Sequence, residues 1–222
     1  MDLAYVIHQY AYGDTSAIVK LWSKELGYVT AMAKGVKTRR QQKNMLQPFL
    51  FLEVDLVGKG NIFNLKSIQI MGDLTALQGK SLYAGLYLNE LLMRLLPEKE
   101  PLPSLFNEYQ HTLGVLSTGI LEPALRTFEW NLLTTLGYMP TLSINTNLDP
   151  INPSAYYELL PGTLPIQVSS PTARNYLGAH LLAIEQQEWH DPEVLKTAKY
   201  LMRSWIDHYT GHKPLKSRSL FQ

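Results

Sequence analysis

Five short β-forming runs crowd into the first 72 residues, and this spacing constrains the front of the chain more than any other feature. Ala4–Tyr10, Thr15–Trp22, Tyr28–Ala33, Phe49–Val57 and Ile62–Met71 are rich in β-branched and aromatic residues, the types that fit a pleated, half-buried surface. Gly13-Asp14, Gly27 and Gly58-Lys59-Gly60-Asn61 separate them. The last of these is a hairpin signal, because glycine supplies the positive φ that tight turns demand. Short strands so closely spaced predict a small sandwich or barrel.

Five strands are the number an OB-fold barrel needs. Behind them the pattern changes to helical periodicity. Ser81–Leu96 is stopped by Pro97, Pro103–Leu116 is a weaker helix, and Glu122–Leu136 carries one stripe at 125, 128, 132, 133 and 136 with Gly137 as its left-handed cap. Ser170-Pro171 predicts a further helix to about Gln187, and Asp191-Pro192 opens the last, ended by Gly211. Residues 139–168, rich in Pro, Asn and Tyr, show no period and read as an irregular insert. The fold class expected is α+β: an OB-fold over 1–78, then an all-helical domain over 79–222 interrupted by that insert.

Of the 222 residues, 45% are apolar and 18% charged, as in a globular protein. The absence of cysteine excludes disulfides and thiolate metal sites. No apolar run approaches the roughly 20 residues of a membrane span, and the N-terminus lacks the basic start and apolar block of a signal peptide. The net charge of +1 hides an asymmetry: residues 1–80 hold ten Lys/Arg against six Asp/Glu, and the remainder ten against thirteen.

Catalytic motifs are missing. There is no Walker loop, no G-x-S-x-G and no H-E-x-x-H. His208 and His212 have a metal-binding spacing, but Gly211 between them is expected to end the helix. Among the acids of the β part, only Glu53 and Asp55 alternate onto one strand face. These features keep a metal-dependent nuclease on a small barrel as an alternative, beside a protein-only scaffold.

Nucleic-acid binding has stronger support. KGVKTRRQQK, between two strand-like runs, carries Lys34, Lys37, Arg39, Arg40 and Lys43 and no acid. With Lys59 at the hairpin tip and Lys66 in the fifth run, it forms a candidate phosphate contact. Tyr5, Tyr10, Tyr12, Trp22, Tyr28, Phe49, Phe51 and Phe63 lie nearby in sequence. Most are expected in the core and a minority on the surface, where bases can stack. The basic tail after Gly211 also holds Leu215, Leu220 and Phe221, which suits a docked segment.

Six segments in order resemble the RecO family of bacterial recombination-repair mediators: YGDTS (12–16), AKGVKTRR (33–40), LQPF (46–49), GLYLNELLMRLLP (85–97), LRTFEWNLLTTLGYMP (125–140) and PLKSRSL (214–220). The resemblance implies an N-terminal OB-fold and a helical C-terminal domain. It implies binding of single- and double-stranded DNA, annealing of complementary strands, and partnership with RecR and with the acidic C-terminal tail of single-stranded-DNA-binding protein. These together load RecA in the bacterial cytoplasm, at the nucleoid, with no cofactor. It also suggests Arg126 and Arg203 as partners of the tail carboxylates. A salt bridge from Arg126 to Glu129, or from Arg203 to Asp207, is the competing reading at helical spacing. Many family members carry a four-cysteine zinc ribbon after the LGY segment. Here 139–168 has no cysteine, so the insert is expected to be a degenerate ribbon held by packing alone. Asp14 stands where the family usually has Glu.

Overall fold

The computed structural model describes residues 1–35, 45–72 and 77–221. Five strands, β1 (Asp2–Tyr12), β2 (Ser16–Ser23), β3 (Gly27–Ala33), β4 (Phe51–Val57) and β5 (Ile62–Ile70), close a barrel in the order β1-β2-β3-β5-β4. All neighbours are antiparallel except β3 and β5, which run parallel. The fold is that of an OB-fold. Alternation turns Val6, Val19, Leu21, Val29, Ala31, Leu52 and Val54 inward, and Leu56, Phe63, Leu65 and Ile68 pack against them.

A bulge in β1 breaks this alternation. Val6 pairs with Leu21 and His8 with Lys20, so Ile7 is the extra residue. Its carbonyl accepts a 2.9 Å hydrogen bond from the Asn89 amide, and the Asn89 side-chain oxygen accepts from the Tyr109 hydroxyl at 2.5 Å. Asn89 lies on α1 (Gly79–Leu95) and Tyr109 on α2 (Pro103–Ser117). The bulge is thus locked by a fully paired buried network. Below it, Tyr5 and Trp22 bury their rings against Phe106 and Tyr109, with centroids 5.1–5.5 Å apart. Burial raises the Tyr5 and Tyr109 phenols above their ordinary values.

The chain end is docked. A 3-10 turn, Lys216–Phe221, offers the Lys216 and Ser217 amides and the Ser217 hydroxyl to the Glu90 carboxylate at 2.7–3.1 Å. Arg94 adds an ion pair at 3.0 Å. The barrel, α1, α2 and the segment from Leu215 onward make one compact unit, and 120–214 makes another.

The second unit contains α3 (Glu122–Thr135), a three-stranded sheet β6 (Tyr156–Glu158), β7 (Ile166–Val168) and β8 (Tyr176–Leu177), then α4 (Gly178–Glu185) and α5 (Pro192–Tyr209). Its core gathers Phe128, Leu132, Leu142, Tyr157, Leu181, Ile184, Leu201 and Trp205. The helix expected from Pro171 begins only at Gly178. Asn175 accepts from the Thr172 amide and hydroxyl at 2.7 and 2.9 Å, which holds a turn there, and Tyr176-Leu177 then pairs with β6. The insert is held by more than packing. The Asn145 side chain accepts from the amides of Asn147 and Asp149, and the Tyr157 hydroxyl accepts from Asn152.

Candidate functional site

Residues paired across a sheet share a face. On β1 and β2, His8, Tyr10 and Tyr12 stand opposite Lys20, Ile18 and Ser16. Lys20 and Ile18 then face Thr30 and Met32 on β3, which face Ile62 and Asn64 on β5. Beyond the last paired residues of these two strands come Lys34, in the turn after β3, and Lys66 of β5, both exposed. One outward wall of four strands therefore carries Tyr10 and Tyr12 (44% and 52% exposed), Lys34 and Lys66 at one end of the barrel. The β1 bulge makes this possible: without the extra residue, Tyr10 and Tyr12 would point into the core. A second bulge, between Asp55↔Ser67 and Leu56↔Leu65, puts Lys66 at the irregularity of β5.

The wall divides by helix cover. Tyr5 and Trp22 are capped by α2, whereas Tyr10 and Tyr12 are uncovered. Burial lowers the His8 imidazole below its ordinary value, and its ring sits edge-on to Tyr10 at 4.4 Å. Of the other aromatics named from the sequence, Tyr28 and Phe49 are buried and Phe51 and Phe63 half-buried.

Lys59 is exposed in the β4–β5 hairpin, before the start of β5, whereas Lys66 is at the middle of that strand. Beside it lies Lys99, which local sequence gave no reason to choose. Its ammonium donates to the Gly60 carbonyl at 3.0 Å and lies 5.9 Å from the Phe63 ring centroid. Lys20 reaches Thr30 at 2.6 Å and Glu98 at 3.9 Å. Lys37, Arg39, Arg40 and Lys43 lie outside the described residues. The described chain reaches that segment just after Lys34, at the tyrosine end of the wall.

Arg126 and Arg203 are not equivalent. Arg126 is 4% exposed and pairs at 2.8 Å with Glu129, which is fully buried. Its guanidinium is withdrawn from solvent and meets the carboxylate that helical spacing named as the competing partner. Arg203 is exposed and lines a cleft of about 390 Å³ with Glu122, Leu195, Lys196, Lys199 and Tyr200. Burial would raise the Glu122 carboxyl, but the 2.7 Å bond from Lys199 and the charges of Arg126, Lys199 and Arg203 hold it below its ordinary value. The cleft is electropositive with an apolar floor.

The nuclease and metal signals converge less. His208 and His212 do approach, with ring centroids 6.0 Å apart, because Gly211 and His212 turn back in the left-handed region after α5. No group of three or more His, Cys, Asp or Glu with metal-holding geometry occurs among the described residues. Among them also, no helix is long and apolar enough to cross a membrane.

A closed five-stranded barrel with an aromatic and basic outer wall, followed by a helical part, defines an OB-fold protein with an appended helical region. The chain belongs to the RecO family: the family model "Recombination protein O N terminal" matches residues 1–73, and "Recombination protein O C terminal" matches 77–219. It is 41% identical over 227 aligned residues to "DNA repair protein RecO" of Pseudomonas putida strain W619, covering 99% of this chain and 96% of that one. A protein of the same name from Pseudomonas aeruginosa strain LESB58 is 39% identical over 220 residues, covering 98% and 92%.

Proposed function

We propose that the protein acts in DNA repair as a strand-annealing mediator without catalytic chemistry. In this reading residues 1–78 bind single- and double-stranded DNA, and 79–222 receive protein partners. The observation that carries it is the uncovered wall of Tyr10, Tyr12, Lys34 and Lys66, which leads into the basic segment of Lys37, Arg39, Arg40 and Lys43. Stacking on exposed tyrosines tolerates any base, and lysines neutralise phosphates without reading sequence. Annealing asks for that combination: two polyanions brought together, with base edges left free to pair.

The partners are those of the family. RecR joins the protein at DNA, and the acidic C-terminal tail of single-stranded-DNA-binding protein enters the cleft of Arg203, Lys196 and Lys199. An apolar peptide end can rest on Leu195 while its carboxylates meet the cations. RecA is then loaded on the exposed strand, in the cytoplasm at the nucleoid. The test is annealing of complementary strands coated with the cognate single-strand-binding protein. Faster annealing is expected with wild type, and a joint Lys34→Ala, Lys66→Ala variant should lose most of it. Magnesium-dependent strand cleavage would favour the nuclease, and no DNA binding even at low salt would favour the scaffold.

A further inference from the structure

The second unit holds a larger cleft, about 610 Å³, between its small sheet and α5. That volume falls within the roughly 300–1,000 Å³ of sites that enclose a small organic group. Tyr156 and Glu158 of β6, Arg174 and Tyr176 before and in β8, His180 of α4 and Tyr200 of α5 line it. Strand alternation turns Tyr157 fully into the core and leaves Tyr156 facing the cleft, 39% exposed, while Tyr200 is 59% exposed. Two large rings from separate elements thus stand uncovered at one concavity. The His180 Nδ1 is fixed against the Thr197 hydroxyl at 2.9 Å, which sets the imidazole in the wall. One cation, Arg174, and one anion, Glu158, leave the lining near neutral. Unlike the Arg203 cleft, it offers a single cation, enough for one phosphate beside an uncharged ring.

A nucleobase with its phosphate matches each of these groups. Its face stacks on tyrosine rings, an exocyclic amino group can donate to a carboxylate as cytosine does to Glu or Asp, and a guanidinium forks onto one phosphate. We propose that this cleft holds a single unstacked base of a nucleic-acid strand, its ring against Tyr156 and Tyr200 and the adjoining phosphate on Arg174. The inference rests on the reading that the protein binds DNA, and adds a contact in a unit separate from the barrel.

The experiment uses the full chain and oligo-deoxycytidine. Tyr156→Ala should weaken binding about fivefold or more, the lower bound for one stacked base. Tyr156→Phe, which keeps the ring, should bind like wild type, and Arg174→Ala should weaken binding and reduce its salt slope. Photocrosslinking with a halogenated pyrimidine in the strand should give adducts on Tyr156, Tyr176 or Tyr200. Wild-type affinity in Tyr156→Ala, or adducts confined to residues 1–119, overturns the inference while leaving the barrel reading intact. Loss of tail-peptide binding instead of oligonucleotide binding in Tyr156→Ala also overturns it, in favour of a peptide. No DNA binding by wild type overturns both readings.

Discussion

Arg126 and Glu129 face each other one helical turn apart on α3, and both are withdrawn from water. Removing one member of a buried pair leaves the other charge desolvated without its counter-ion, at a cost of about 3–5 kcal/mol. Arg126→Ala should lower the urea midpoint accordingly. An Arg126→Met, Glu129→Leu double variant, which leaves no buried charge, should recover most of that loss. Arg203→Ala should leave the midpoint unchanged and weaken binding of an acidic tail peptide by about 1.5–3 kcal/mol, the scale of a hydrogen bond to a charged group, read by fluorescence anisotropy. The spacing of Arg126 and Glu129 on α3 was legible in the sequence, and so were the two readings of the arginine. That the pair is buried was not legible, because helical spacing gives neighbours on a helix face but not the burial of that face.

At the level of elements, the β2–β3 turn shows how little tolerance the barrel has. Gly27 sits at φ 74°, and a Cβ there would collide with the backbone of Glu100, which no rotamer change relieves. Gly27→Ala should therefore destabilise by about 2 kcal/mol or more, since left-handed strain alone costs roughly 1–3 kcal/mol, and thermal unfolding will show it. The contact of α1 with the closing 3-10 turn carries a pH signature. Burial would raise the Glu90 carboxyl, but its bonds from Ser217, Lys216 and Arg94 win and set it below the ordinary carboxylate range. A depressed folded-state value contributes stability above the unfolded value, and that stability is lost as pH falls through the folded one. The melting-temperature gap between wild type and Glu90→Gln should be full at neutral pH and close on acidification; a gap constant with pH would deny the carboxylate this role. All five strands and most helices were legible from period and punctuation, because those signals are local. The first turns of the expected 170–187 helix were not. There the polar turn at Asn175 and the pairing of Tyr176 with β6 outweigh helical periodicity. Gly178 opens α4 at a site where the Asn152 backbone leaves no room for a Cβ.

For the molecule as a whole, positive charge is concentrated at the front of the chain, which is where the proposed function places DNA affinity and salt sensitivity. The total is only +1, yet residues 1–80 carry an excess of four positive charges and the rest an excess of three negative ones. A protein that binds by releasing counterions loses affinity linearly in log salt, with a slope of about −0.7 per phosphate neutralised on a single strand. The basic run at 34–43 was legible from charge alone. The tyrosine wall beside Lys34 was not, because it exists only through the β1 bulge and the pairing of β3 with β5, as in Thr30↔Ile62. The two sets of groups should separate in experiment. Arg39→Ala with Arg40→Ala should weaken binding and flatten the salt slope by about 1.4, the value for two phosphates. Tyr10→Ala with Tyr12→Ala should weaken single-strand binding by about 2–6 kcal/mol, at roughly 1–3 per stacked base, and leave the slope as it was. Duplex binding, where bases are not available to stack, should respond to the arginines and not to the tyrosines. An equal loss on single and double strands in the tyrosine variant would remove the wall from the annealing surface and leave electrostatics alone to explain DNA binding.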